Sequence, residues 1–442
     1  MRKMKDSGIP WIGEIPKDWE VVYGKKVYLA NDGGVWGEDA DGVDDTIVLR
    51  STEQDIDGRL IIEEPARRKL TNKEFESARL KDGDLIITKS SGSPSHIGKT
   101  SLITESVANL NCCYSNFIQR LRVSGNPLFY WFLLNSVVVK KQFEYLSTTT
   151  TGINNINSKT LDSLLFPIPS LAEQQRVAEF LDRKCAEVDE MIGLQEQIIE
   201  ELKAYKQSVI TEAVTKGFNP DAPMRDSGIE WIGQIPEHWK IEPLKYNFNR
   251  RSERNNPIIT TERLSLSIDK GVTLYSEKTT NLDRFKEDFT QYQLAYPNDI
   301  VLNCMNMIVG AVGLSKYLGC VSPVYYVIYP SNYKVDSEYY SYMLNTPTIR
   351  GVYYSYGKGI YAIERGEGRV NTCRLKVSYD DFGRLDIPIP PIEEQKNIVS
   401  YIKEKCANID SLIQTKQSKI DSLKEYKKSI IYEYVTGKKE VE

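Results

Sequence analysis

The chain has 442 residues, which exceeds a single ordinary core and predicts about two to four domains. It is 27% charged and 40% hydrophobic with a formal net charge of −4, an ordinary globular composition in which no strongly basic nucleic-acid binder shows. Seven scattered cysteines without a C-x-x-C pair predict buried thiols in a reducing cytoplasm, and two histidines, His96 and His238, exclude a His-rich metal centre.

The N-terminus, MRKMKDSGIPW, carries charge without an apolar stretch, so no secretory signal is expected. No apolar run is long enough for a membrane span. The words DSGIPWIGEIPKDWEV, from Asp6 to Val21, return as DSGIEWIGQIPEHWKI from Asp226 to Ile241, with ten of sixteen positions identical at an offset of 220. Glycine and proline forbid regular structure there, which leaves Trp11, Trp19, Trp231 and Trp239 as expected aromatic anchors.

Residues 20 to 165 hold short Val/Ile/Leu/Tyr runs between Gly, Asn, Asp and Pro, predicting mixed α/β structure with substantial sheet. The adjacent Cys112 and Cys113 are expected to pack in a strand. GDLIITKSSGSPSHIGKT, with Asp84, predicts a turn, a buried strand and a polar loop. Its end is close to a P-loop, but five residues separate the glycines where four are required, and the β-rich continuation offers no helix N-terminus for a phosphate. Asn126-Pro127-Leu128-Phe129-Tyr130 is similar to the N-P-P-[FY] motif of amino-methyltransferases, lacks its second proline, and predicts a strand-to-helix connection. Candidate DNA contacts in this stretch are Lys89, Ser90, Ser91, Ser93, His96 and Lys99, then Thr150 and Asn154 in STTTTGINNINSK.

Two prolines, Pro167 and Pro169, then open a long helix whose first turn holds Glu173. Its apolar seam includes Leu181, Val188, Ile192, Ile199 and Leu202, and Gly217 marks its end. The second copy follows the same order. Residues 240 to 386 form a second variable middle, in which NDIVLNCMNMIVGAVGLSK repeats the turn-strand-loop pattern at Asp299. Its candidate contacts are Asn303 and Asn306, then Tyr356, Lys358, Arg365 and Arg369. IPIPPIEEQKNIVSYIKEKC repeats the first helix entry at an offset of 221, and its seam includes Ile402, Ile409, Ile413, Ile420 and Leu423 before Gly437. Each helix should cover about 45 residues, or roughly 67 Å.

Between Glu173 and Lys216 lie ten acidic and six basic residues; between Glu393 and Lys438 lie seven acidic and nine basic. Opposite net charge favours pairing the two helices with each other, and the pseudo-two-fold repeat favours an antiparallel pair. The first Trp-Pro words should then dock at the end of the second helix. The expected fold is α+β: two globular mixed α/β domains separated by a long antiparallel two-helix coiled coil. The boundaries are 1–168 for the first domain, 169–217 for the first spacer helix, 218–389 for the second domain and 390–442 for the second helix.

Taken together, DSGIPWIGEIPKDWEV, GDLIIT, TTGINNINSKTLDSLLFPIPSLAEQQRVAEFLD and IPIPPIEEQKNIVSYI make the chain resemble the specificity subunit of type I restriction–modification systems over its whole length. The resemblance implies two target-recognition domains, each reading half of a bipartite double-stranded DNA site. It implies helices that act as a ruler and dock two methyltransferase subunits, which two restriction subunits would join. S-adenosylmethionine, ATP and Mg would belong to those partners, with no catalysis, metal or membrane contact in this chain. The second middle departs from the family wording, with YGKGIYAIERGEGRVNTCRL in place of the TG-I-x-N-L pattern. Competing readings are a coiled-coil adaptor without a DNA role, or a DNA methyltransferase or ATPase.

Overall fold

The computed structural model describes residues 2–90, 96–147, 156–278, 288–360, 363–365, 369–371 and 374–441. It divides into two compact units, Met1–Glu196 with Ser418–Glu442, and Gln197–Gln417. The boundaries expected from sequence are 1–168, 169–217, 218–389 and 390–442, two domains and two spacer helices; the units group these segments by packing. Each long helix is divided between the units, because each half of its seam is covered by the other helix's opposite half.

The long helices run Leu171–Lys216 and Ile392–Val435. Prolines before each exclude an earlier start, and in the first the Ser170 carbonyl accepts from Glu173 N at 3.0 Å and Gln174 N at 2.9 Å. The helices end at Gly217 and Gly437, whose φ angles of 73° and 68° are left-handed. In the first unit the Lys427 ammonium meets the Asp189 oxygens at 2.7 and 2.9 Å, and the Phe180 and Tyr434 rings lie 4.4 Å apart. In the second unit Lys206 meets both Asp410 oxygens at 2.7 Å, and Phe218 stacks on Tyr401 at 5.6 Å. Within each unit, rising numbers on one helix meet falling numbers on the other, so the pairing is antiparallel.

Leu181, Val188, Ile420 and Leu423 are buried in the first unit, and Ile199, Ile402 and Ile409 in the second. Ile192, Leu202 and Ile413 are half-buried; a two-stranded seam leaves one flank of such residues in water.

Buried glutamines tie each helix start to its domain. Gln174 Oε1 accepts from Asn126 N at 2.9 Å while its Nε2 donates to the Pro169 carbonyl at 3.1 Å. Gln395, 221 residues on, does the same with Asp336 N at 2.8 Å and the Pro390 carbonyl at 2.8 Å. Asn126 and Asp336 in turn cap the helices that begin at Pro127 and Ser337. The methyltransferase-like Asn-Pro words are therefore a strand-to-helix connection.

In the first unit the strands β1 (Tyr28–Gly33), β2 (Leu85–Thr88), β3 (Thr100–Leu102) and β4 (Ile118–Val123) form an antiparallel sheet in the order β1-β4-β2-β3. The second unit repeats it with β5 (Phe248–Arg250), β6 (Ile300–Asn303), β7 (Val312–Leu314) and β8 (Tyr325–Pro330), in the order β5-β8-β6-β7. β2 is buried along its whole length, as an apolar run without alternation predicts. The P-loop-like words lead into β3, not a helix. Cys113 is in a short strand and Cys112 is buried beside it.

The repeated aspartates have one structural role. Asp84 receives Arg122 in a two-point pair at 2.7 and 2.8 Å and the Lys81 N–H at 2.8 Å. Asp299 receives Arg251 at 2.6 and 3.1 Å and the Tyr296 N–H at 2.8 Å. Both carboxylates are buried, and this full set of donors offsets their desolvation.

The duplicated Trp-Pro words pack at the helix ends. In the first unit the Ile12 carbonyl accepts from Lys438 Nζ at 2.8 Å and Tyr432 Oη at 3.3 Å. In the second unit the corresponding words follow the first long helix and pack at its end. Trp19 and Trp239 are each 1% exposed, whereas Trp11 and Trp231 are half-buried. Among the described residues, no helix is long and apolar enough to cross a membrane.

Replacing either terminal glycine by alanine should cost about 1–2 kcal/mol for the left-handed backbone. At Gly437 a Cβ would also lie 2.5 Å from Pro16 Cγ, whereas at Gly217 its nearest neighbours stand at 3.5 Å. Gly437→Ala should therefore lower the urea midpoint more than Gly217→Ala and expose the N-terminal words to protease. Equal shifts and an intact N-terminus would contradict this packing.

Candidate nucleic-acid interface

One backbone hydrogen bond recurs in both units. Ile156 N donates to the Lys89 carbonyl at 2.9 Å, and Val377 N, 221 residues on, donates to the Cys304 carbonyl at 3.1 Å. Lys89 and Cys304 each stand five residues after the buried aspartate. The bond joins the segment after β2 or β6 to the segment that precedes the return to the long helix. Both units thus set the two loops named from sequence side by side.

In the first unit this junction is packed by Gly98, where a Cβ would lie 2.8 Å from Phe143 Cδ2 and 3.7 Å from Ile156 Cδ1. Lys89 is half-buried and has no side-chain partner among the described residues; burial alone holds its ammonium below the usual lysine range. Ser90 is half-buried and His96 exposed. Ser91, Ser93, Thr150 and Asn154 lie outside the described residues. Lys99 is not the exposed phosphate contact expected from its loop. It is 6% exposed, and its ammonium donates to the Gln54 carbonyl at 2.6 Å and the Ser51 carbonyl at 3.4 Å. The charge is turned inward to hold the 51–54 turn.

In the second unit the junction gathers candidates from two separate segments. Asn303 Oδ1 accepts from Met305 N at 3.1 Å, and Asn306 opens the turn Met307–Val309. The helix Pro347–Tyr356 ends against that turn: a Cβ on Gly357 would lie 3.3 Å from Ile308 Cδ1 and 2.9 Å from Leu375 Cβ. Tyr356 is half-buried, while Lys358 is exposed in a ribbon that pairs Lys358–Ile360 with Arg374–Lys376. Arg365 and Arg369 pair in backbone register across their own short ribbon, and their side chains lie outside the described residues. Asn303, Asn306, Tyr356 and Lys358 are therefore brought together.

Sequence reasoning missed Arg250 and Arg251, although the run NRRSERNN carries three cations in eight residues. Arg251 is committed to Asp299. Arg250 is exposed at the end of β5, with its guanidinium 5.0 Å from the Tyr326 ring and 4.8 Å from the Tyr379 ring. Among the described residues, no group of three or more His, Cys, Asp or Glu side chains is placed to hold a metal ion.

Comparison with known proteins bears on what these junctions serve. The family model for the type I restriction modification DNA specificity domain matches residues 64–204. A putative type I restriction enzyme MjaX specificity subunit of Methanocaldococcus jannaschii is 25% identical, over 89% of this chain and 88% of its own length. Over most of its length the chain is similar to type I restriction–modification specificity subunits. The StySPI specificity subunit of Salmonella potsdam is 25% identical over 74% of this chain and 69% of its own. The fold agrees: a chain from a structure of a type I restriction–modification system, solved to explain complex assembly and conformational transition, aligns at a TM-score of 0.67. That alignment covers 96% of this chain and 99% of the other at 15% identity. The HsdS subunit of Thermoanaerobacter tengcongensis aligns at 0.52, covering 96% and 98% at 15% identity. The chain carries DNA specificity in a restriction–modification system.

Because the Lys99 ammonium is spent on buried carbonyls, Lys99→Met should destabilise the first unit by about 1–3 kcal/mol. Lys358→Ala, at an exposed site, should leave the urea midpoint unchanged. A Lys99→Met protein as stable as the parent would return Lys99 to the candidate contacts.

Proposed function

We propose that each unit reads one half of a bipartite double-stranded DNA target with the loop junction at the end of its sheet. The single observation that carries this is the shared frame with unlike chemistry. The same backbone bond closes both junctions, yet Lys89 stands in one where Cys304 stands in the other. A structural loop repeated for stability would have no reason to change its side chains so fully. A reader of two different half-sites would. Asn and Arg side chains discriminate adenine and guanine edges, while Lys and Ser hold phosphates.

In this reading the paired long helices dock two methyltransferase subunits, which two restriction subunits join, and helix length sets the unread spacer between half-sites. The chain does no chemistry itself. S-adenosylmethionine, ATP and magnesium are bound by the partners, whose phosphate contacts add to those of a chain with net charge −4.

The test is to exchange residues 20–165 for the corresponding domain of another specificity subunit and map methylated adenines in cells that also make the methyltransferase. One half of the modified motif should change and the other stay. Change in both halves, or in neither, contradicts independent reading by the two units. A complex that prefers no sequence would favour the adaptor reading.

A further inference from the structure

The sheet registers allow position-by-position comparison of the two units. Leu85 pairs with Leu121, which pairs with Asn31; Ile300 pairs with Ile328, which pairs with Arg250. Arg250 therefore corresponds to Asn31, and two residues back along the middle strand Tyr326 corresponds to Gln119. Ser158 and Tyr379, 221 residues apart, each open the short helix that precedes the return to the long helix.

In the first unit these positions close on one another. Gln119 Nε2 donates to Asn31 Oδ1 and to Ser158 Oγ, both at 2.8 Å, and Asn31 Nδ2 donates to Asp162 Oδ1 at 2.9 Å. Gln119, at the centre of this network, is 2% exposed, while Asn31 and Asp162 are half-buried and Ser158 is exposed. In the second unit the same positions present an exposed cation over a T-shaped pair of rings whose centroids lie 5.2 Å apart. Among the described residues Arg250 has no carboxylate or carbonyl partner. Its charged surroundings are of both signs. Lys376 is exposed and unpartnered among the described residues, and Lys358 lies opposite it in register. Arg250 and Lys376 both draw the buried Cys304 thiol down, against the burial that raises it. Of the carboxylates on the adjoining helix, Asp381 is hydrogen-bonded by Ser378 Oγ at 2.6 Å and lies 4.0 Å from Lys358, while Asp380 is exposed.

We propose that Arg250, seated over the Tyr326 and Tyr379 rings, holds a DNA backbone phosphate in the second half-site, a contact the first unit does not make from the corresponding positions. The ring pair lies to one side of the guanidinium, whose N–H groups, without a carboxylate or carbonyl partner among the described residues, are available for two-point binding of an anion. The rings also order the side chain before DNA arrives, which lowers the entropy lost on binding. Spread of positive charge onto the ribbon lysines matches a phosphodiester chain better than a single base edge.

This rests on the reading that the second unit binds DNA, and its test separates the two. The full chain, assembled with its methyltransferase partner, is titrated with DNA carrying the mapped target over a series of salt concentrations. Arg250→Ala should weaken binding about five- to tenfold at moderate salt and flatten the slope of log K against log salt by about 0.9, with base preference unchanged at every position. Arg250→Lys should keep the slope and regain part of the affinity. Asn31→Ala should leave the slope as in the parent. If the alanine variant fails to assemble, Arg250→Gln makes the same comparison. Parental affinity and slope in the Arg250 variants would overturn the proposal, as would a loss confined to one base position. A parent complex without sequence preference would overturn the underlying reading instead.

Discussion

A buried amide at the start of each long helix fixes how that helix leaves its domain. Gln174 and Gln395 each use both ends of the side chain, accepting from the backbone that enters a domain helix and donating to the proline turn that begins the long one. Neither bond can be exchanged for water at a buried site without cost. Because the amide spans two segments distant in sequence, it holds the helix direction relative to the sheet. The sheet, in turn, carries the loop junction. A recognition surface can tolerate wide variation in its loops only if this connection stays constant, and it is here that the two copies agree in sequence.

The second constraint is the ion-paired aspartate behind each junction. Asp84 and Asp299 have the same backbone environment, but their arginines come from different strands: Arg122 from β4 and Arg251 from just beyond β5. The fold preserves the buried carboxylate and lets the cation arrive from wherever the local sequence supplies it. At Asn31 and Arg250 the exchange goes further, from an amide network to a cation over a pair of rings on one backbone frame. The two domains therefore share a scaffold without sharing a surface.

Sequence made the repeat, the helix limits and the antiparallel sense legible because each rests on local rules: Pro before a helix, Gly after it, apolar spacing along it and charge complementarity across it. It also separated the P-loop-like and Asn-Pro words from the chemistry they resemble. The interface was less legible. Lys99 sits among polar residues in the sequence, and nothing local signals that its ammonium turns toward the 51–54 carbonyls. Arg250 and Arg251 are neighbours in a basic run, yet Arg251 is locked in an ion pair and Arg250 is exposed over two rings. Only the strand register, which joins residues far apart in the chain, tells them apart. The half-buried Ile192 and Ile413 show the same limit, since periodicity identifies a seam but not how much of it a single partner helix covers.

The packing of the Ile12 carbonyl beneath Lys438 and Tyr432 has a consequence for biosynthesis. The second unit is built from one uninterrupted stretch, Gln197–Gln417, whereas the first draws on both extremities of the chain. As the polypeptide leaves the ribosome, the downstream unit has every residue it requires while the upstream one still lacks its closing helix segment. Completion therefore runs against the direction of translation, and the first-made domain is the last to be sealed.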